Sequence, residues 1–153
     1  MTLWYRASCL QKATEVFSGE ACLYIAGRWH HTGNKAIYCS ASIALCTLEW
    51  LCHNELSVSE FENFRYSIDI HDNLTLKLSH SDLPKNWQTT PATDHTRDLA
   101  DEYLFNQKKY LALAVPSVVV PEEYNLVINP LHAAFKTAEQ TIRELGKYRS
   151  PRR

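Results

Sequence analysis

The chain has 153 residues, of which 45% are hydrophobic and 22% charged, and its formal net charge is −1. This length and composition predict one soluble globular domain, and the near-neutral charge disfavours direct binding of nucleic acid or of an anionic membrane. No apolar run approaches the ~20 residues of a membrane-spanning helix, and the first residues lack the pattern of a signal peptide. Five cysteines without a CxxC pair are typical of a reducing compartment, so we expect a cytoplasmic protein.

The predicted elements mix strands and helices without the regular βαβ repeat of a doubly wound sheet. Strands are predicted at 3–6, 36–39, 64–70, 74–78, 110–115 and 126–128, and helices at 11–17, 43–54, 94–108 and 133–145. Ser40 or Ser42 is placed to cap the helix at 43–54, and the polar stretch 79–93 is a long connection. The pattern predicts a single α+β domain over residues 1–146, followed by a basic tail, 147–153.

Several large classes of enzyme are excluded by the absence of their motifs. The four glycines build neither a GxGxxG nor a GxxxxGK[ST] loop, and GxSxG and HExxH are also missing. The spacing of the nearest candidate ligands fits no structural zinc pattern; these candidates are His30, His31, Cys46, Cys52 and His53. We therefore predict no metal.

Three apolar stretches each hold one polar residue: Arg28, Glu49 and Ser117. A buried charge without a partner costs several kcal/mol, and the most economical arrangement brings the three side chains together. Arg28 then offers a fork of donors for a carboxylate or a phosphate, and Glu49 offers a carboxylate that can act on a sugar. The simpler alternatives are a structural Glu–Arg bridge and a serine that satisfies backbone groups freed by neighbouring prolines.

Tyr38 ends a predicted strand shortly before the helix that carries Glu49. Its ring could stack on a planar ligand and use its hydroxyl as a polar handle, although most strand tyrosines are simply part of the core.

Taken in order, these residues resemble the RES domain family. The matching segments are Ala26-Gly27-Arg28-Trp29 with Gly33 and Ile37-Tyr38, Leu48-Glu49, Leu83-Pro84 with Trp87, Thr96 to Leu104, Val115-Pro116-Ser117, and Asn125 to His132. The family takes its name from an Arg, a Glu and a Ser, which here are Arg28, Glu49 and Ser117.

The resemblance implies a fold similar to ADP-ribosyltransferases such as diphtheria toxin, with mixed or antiparallel sheets and flanking helices. It also implies the toxin of a bacterial toxin–antitoxin pair, which uses NAD as its substrate and is covered at its active site by an Xre-type helix-turn-helix antitoxin. Arg28, Glu49 and Ser117 would be catalytic, and Arg28, Tyr38, Ser117, Arg6 and Asn129 would bind NAD. A homodimer is left open.

Two alternatives to NAD hydrolysis or phosphorolysis follow from the same resemblance: transfer of ADP-ribose to a protein, and an inert module that only binds its antitoxin. The chain also departs from the family pattern. Ala26 replaces a glycine, His30 replaces an asparagine after the tryptophan, and the usual closing strand is not evident.

Overall fold

The computed structural model describes residues 1–55 and 62–149. Its framework is one seven-stranded sheet. The strands are β1 (Thr2–Ser8), β2 (Ile37–Ser40), β3 (Glu62–Ile70), β4 (Thr75–Lys77), β5 (Ala112–Pro116), β6 (Tyr124–Ile128) and β7 (Arg143–Arg149). They lie in the order β4-β5-β6-β2-β1-β3-β7. Only β4 and β5 are parallel neighbours, and the other pairs are antiparallel.

The helices are α1 (Ala13–Val16), α2 (Ile43–Asn54), α3 (Asp94–Ala100) and α4 (Phe135–Glu139), and α3 continues as a π-helical segment, Asp101–Asn106. Together with the mixed sheet they confirm the predicted single α+β domain. None of the helices in the described ranges has the length and apolar character that a membrane crossing needs.

The helix α2 begins and ends where the sequence predicts. Its first turn is capped by Ser42, whose hydroxyl accepts a 3.0 Å hydrogen bond from the backbone N–H of Leu45. Such a cap satisfies a donor that has no partner within the helix. The helix packs against β1 and β2 in the middle of the sheet, so its inward side chains can reach the neighbouring strand β6.

Strand alternation divides the core between the two faces of the sheet. On one face Trp4, Ile37 and Tyr66 pack with the helices α1 and α4. On the other face Trp29 and Trp87 pack with the segment that follows α3, and Tyr38 packs against this second cluster. Trp87 is buried and so attaches the long connection, 79–93, to this second cluster.

The C-terminal part of the prediction is wrong in two respects. The helix expected at 133–145 ends at Glu139, and the closing strand that the sequence did not reveal is present as β7. Its pairing with β3 is supported by two ion pairs with a residue far away in the sequence. The carboxylate of Glu62 lies 2.6 Å from Lys147 Nζ and 3.0 Å from Arg149 Nε. Residues 147–149 of the expected tail therefore belong to a strand, and 150–153 lie outside the described residues.

Candidate active site

Glu49 lies near the middle of α2, and its half-buried carboxylate points toward the start of β6. One oxygen, Oε1, accepts a 2.7 Å hydrogen bond from the Ser117 hydroxyl and a 2.5 Å hydrogen bond from the Asn125 amide. The structure thus brings together two of the three residues that the sequence singled out. Two donors on one oxygen hold the carboxylate in a fixed place beside the start of β6.

Ser117 follows β5 and is completely buried. Its oxygen accepts hydrogen bonds from the backbone N–H groups of Val119 and Val120, each at 3.0 Å, while its proton goes to Glu49. A hydroxyl has one proton and two lone pairs, so every hydrogen-bonding position of Ser117 is in use. Ser117 therefore does two things that the sequence offered as alternatives: it meets Glu49, and it accepts hydrogen bonds from nearby backbone groups.

Asn125 and Ser40 are members of the site for which no role was predicted from the sequence. The two residues pair across β2 and β6, and the Ser40 hydroxyl donates a 2.7 Å hydrogen bond to Asn125 Oδ1. Asn125 begins one of the segments that resemble the RES family, but the resemblance was not read as giving it a place in the site. Only the register between β2 and β6 reveals that it stands beside Glu49.

Arg28 lies near the site but bonds to a different segment. Its guanidinium donates to the carbonyl oxygens of Trp87 (2.8 Å) and Thr89 (2.9 Å) and to the Thr90 hydroxyl (3.4 Å). Burial lowers the pKa of Arg28, while the opposite charge of Glu49 acts to raise it. The two charges therefore interact through space, and no ion pair within 4 Å joins them in the described parts of the chain.

Tyr38 is held by the segment that carries Arg28. Its hydroxyl lies 2.6 Å from His30 Nδ1 and accepts a 3.3 Å hydrogen bond from the backbone N–H of Trp29. The other ring nitrogen of His30 lies 2.8 Å from the carbonyl oxygen of Ile25, which fixes it as the donor and leaves Nδ1 to accept from Tyr38. Burial raises the pKa of Tyr38 and lowers the pKa of His30, so both groups are neutral at pH 7.

Gly27 leaves the space that this arrangement needs. A Cβ at this position would lie 2.5 Å from His30 Cε1, 2.7 Å from His30 Nδ1 and 2.9 Å from the Tyr38 hydroxyl. These distances are shorter than contacts between non-bonded atoms in folded proteins. The glycine is therefore required by close packing.

Two side chains of the helix α3 bind the backbone at Gly27 and at the following residue. Arg97 Nε donates a 2.7 Å hydrogen bond to the carbonyl oxygen of Gly27, and the Thr96 hydroxyl donates to that of Arg28 at 2.5 Å. Both residues lie in a segment that resembles the RES family, but no role was predicted for them, because contacts across about 70 positions cannot be read from local sequence.

Two predicted NAD-binding residues are not brought into the Glu49 cluster. On β1, Tyr5 stands opposite Ser40 of β2, which belongs to the Glu49 cluster, whereas the next residue, Arg6, stands opposite Tyr66 of β3. Because successive side chains of a strand point to opposite faces, Arg6 lies on the face away from the cluster. There its guanidinium donates to the carbonyl oxygens of Val16 (2.9 Å) and Tyr38 (2.8 Å) and lines a cavity of about 590 Å³.

Asn129 lies beyond the other end of β6 from Asn125. It is buried, donates to the Leu104 carbonyl oxygen (3.3 Å) and accepts from the Leu131 N–H (3.0 Å). Both polar atoms of its side chain thus support the backbone, and its assignment to NAD binding remains a prediction.

One group of possible metal ligands lies beside the site. His31, Asp98 and Asp101 offer ligand atoms that all lie within 4.8 Å of one another. His31 Nε2 is 2.7 Å from Asp98 Oδ1, and this contact explains their proximity without an ion. We assign no metal there.

The domain thus has a mixed sheet in which Ser117 and Asn125, from the ends of two neighbouring strands, hold the half-buried carboxylate of Glu49, and the charge of Arg28 acts on it through space. The chain belongs to the RES domain family, whose family model matches residues 3–148.

The similar proteins agree with this membership. "Toxin Res" of Yersinia enterocolitica is 36% identical over 150 residues, which cover 97% of each chain. The "Prs ADP-ribosylating toxin" of a Sphingobium species is 31% identical over 122 residues, covering 78% of this chain and 75% of the relative. A chain in the crystal structure of the M.tuberculosis MbcT–MbcA toxin–antitoxin complex has the same fold, with a TM-score of 0.67, 17% identity and coverage of 96% and 82%.

Proposed function

We propose that this protein is the toxin of a toxin–antitoxin pair and that it degrades NAD by cleaving the bond between nicotinamide and ribose. The observation that carries the proposal is the hydrogen bond between Ser117 and Glu49, which fixes a carboxylate that also interacts through space with the charge of Arg28. Membership of the RES family supports the same reading.

The reaction needs a negative group close to the ribose. When the C1′–N bond breaks, its electron pair moves to the ring nitrogen of nicotinamide, which loses its positive charge, and positive charge develops on the ribose. Water or phosphate then adds to C1′ through an oxygen, and water releases a proton as it does so. A fixed carboxylate stabilises the charge that develops in this transition state.

The side chains divide this work according to their positions. Glu49 accepts a hydrogen bond from a ribose hydroxyl and stabilises the positive charge that develops on the ribose, while Ser117 holds the carboxylate in place. Arg28 binds the pyrophosphate, whereas Arg6 lies on the opposite face of β1 and is given no role in this arrangement. Tyr38 presents a fixed aromatic ring for the nicotinamide.

Purified protein incubated with NAD, with and without phosphate, tests the activity directly. Mass spectrometry distinguishes ADP-ribose from its phosphate ester and identifies the acceptor. Glu49→Gln keeps the volume and removes the charge, so we expect the rate to fall about 10²–10³-fold. The matched control is Glu139→Gln, an exposed carboxylate at the end of α4. A parental rate in Glu49→Gln refutes the role of this carboxylate.

A second candidate activity is the transfer of ADP-ribose to a protein. It is favoured by the likeness to a relative that is called an ADP-ribosylating toxin. Incubation with NAD labelled on the adenylate part and with a bacterial extract separates the two activities. Label that enters a protein band without loss of bulk NAD supports transfer, whereas loss of bulk NAD without labelling supports the principal proposal. If the protein is folded and neither labels a protein band nor consumes NAD, the result indicates the inert module that only binds its antitoxin.

We also propose that an Xre-type antitoxin covers this site. The similar fold occurs in a toxin–antitoxin complex. Tyr24 and Ile25, which shortly precede Arg28, are 80% and 73% exposed, and adjacent exposed apolar side chains are typical of an interaction surface.

A further inference from the structure

The two hydrogen bonds to Glu49 fall on the same oxygen atom. Ser117 and Asn125 both donate to Oε1. The other oxygen, Oε2, accepts none of the hydrogen bonds found among residues 1–55 and 62–149. The carboxylate is therefore asymmetric: one oxygen is occupied by the protein and the other is left for something else.

Both donors are themselves oriented by a second layer of hydrogen bonds. The Ser117 oxygen receives two backbone N–H groups, so its single proton must point to Glu49. The Glu49 carboxylate only accepts, so the Nδ2 group of Asn125 faces it, and Ser40 donates to Oδ1 at the other end and holds the amide in place. The orientation of an asparagine amide follows from such a network, and here the partner on each side of the amide is unambiguous.

We infer that Asn125, with Ser40 behind it, is a positioning residue that fixes the rotation of the Glu49 carboxylate and presents Oε2 alone to the ribose hydroxyl. This inference rests on the proposed function of the same site. A carboxylate free to rotate about its last bond would offer either oxygen and would have to be ordered during the reaction. A preorganised carboxylate avoids that reorganisation in the transition state.

Ser40 gives the sharpest test because its hydroxyl is bonded to Asn125 and has no hydrogen bond to Glu49. Without the Ser40 hydroxyl, Asn125 Oδ1 loses its partner, and the amide holds the Glu49 carboxylate less firmly. We expect Ser40→Ala to lower kcat about 10-fold and Asn125→Ala about 100-fold. KM for NAD should change less than about threefold in both, because the transition state is affected more than binding. Ser40→Thr keeps the hydroxyl and should restore kcat to within about threefold of the parental value.

Ser42→Ala is the matched control for general loss of stability. Ser42 caps α2, accepts a hydrogen bond from Leu45 and donates one to Glu123, and in the described parts of the chain it has no hydrogen bond to Asn125 or Glu49. The substitution should lower the melting temperature, yet at a temperature well below unfolding kcat should stay at the parental value. An equal loss of kcat in Ser42→Ala and Ser40→Ala overturns the inference, because the effect would then follow stability.

A readout without turnover separates this inference from the proposed function. In crystal structures of Ser40→Ala and Asn125→Ala we expect the Glu49 carboxylate to occupy more than one orientation. If the parental protein does not consume NAD, the proposed function fails, and the carboxylate orientations still decide the positioning role. A single unchanged orientation in both variants overturns the inference, as does a parental kcat in both.

Discussion

Gly27→Ala is the substitution for which the structure gives the most definite expectation. The new Cβ would lie 2.5 Å from His30 Cε1 and 2.9 Å from the Tyr38 hydroxyl. His30 cannot easily turn away, because it is buried and both of its ring nitrogens lie within hydrogen-bonding distance of a partner. The backbone of Gly27 does not adopt the left-handed conformation that excludes alanine, so the effect is one of packing.

The expected loss of stability follows from the overlap. Forcing one extra carbon into a well-packed site costs about 1–3 kcal/mol, and loss of the bond between Tyr38 and His30 adds about 1 kcal/mol. For a domain of this size each kcal/mol lowers the melting temperature by roughly 2–4 °C. Gly27→Ala should therefore melt several degrees below the parental protein and consume NAD more slowly, because the ring of Tyr38 is displaced.

Thermal unfolding and NAD consumption, measured on the same preparations, check both parts. The double variant Gly27→Ala/His30→Ala separates overlap from other causes, since removal of the imidazole relieves the closest contacts. We expect its destabilisation to be at least about 1 kcal/mol less than the sum of the two single variants. Additive effects, or a Gly27→Ala protein as stable as the parent, would refute the packing argument.

Three further expectations follow from the site. Burial lowers the pKa of His30 from its ordinary value of 6.5, so the unfolded chain binds the proton more readily, and stability should fall as the pH drops below about 6.5. In urea titrations at pH 7, 6 and 5 this fall should be smaller in His30→Gln, and an equal fall would contradict it. Ser117→Ala leaves two backbone N–H groups without their acceptor and should cost about 1–3 kcal/mol of stability together with most of the NAD consumption; an unchanged urea midpoint and rate would be inconsistent with this account. Replacing both Tyr24 and Ile25 by serine should weaken binding of the antitoxin in calorimetry while leaving the melting temperature within about 1 °C, because both side chains are exposed; unchanged affinity would remove them from the interface.

The meeting of Glu49 and Ser117 could be predicted from the sequence, because burying a polar or charged group without a partner is costly. Glu49 and Ser117 do meet, as expected for lone polar residues in apolar frames. Arg28 avoids the cost of an unpaired charge in another way: its guanidinium donates hydrogen bonds to carbonyl oxygens of the segment 87–90. That segment is a polar connection without periodicity, so its path over the protein could not be inferred from its own residues.

The fold shows the same division between local and long-range causes. The bounds of α2 were predictable because a capping serine and a continuous apolar run both act locally. The strand β7 was not, because its residues alternate poorly and are held by partners on β3: the Lys147–Glu62 ion pair and the Arg65 guanidinium 4.1 Å from the ring centre of Tyr148. Asn125 was missed for a similar reason, since its importance depends on strand register.

The saturation of Ser117 has a practical consequence for chemical probes. Reagents that label reactive serines need a hydroxyl that can give its proton to a base and expose a lone pair to an electrophile. Here two amides occupy the lone pairs, and the residue is fully enclosed. An inhibitor of this protein is better designed as a cationic mimic of the sugar that approaches the open carboxylate oxygen than as a covalent serine trap.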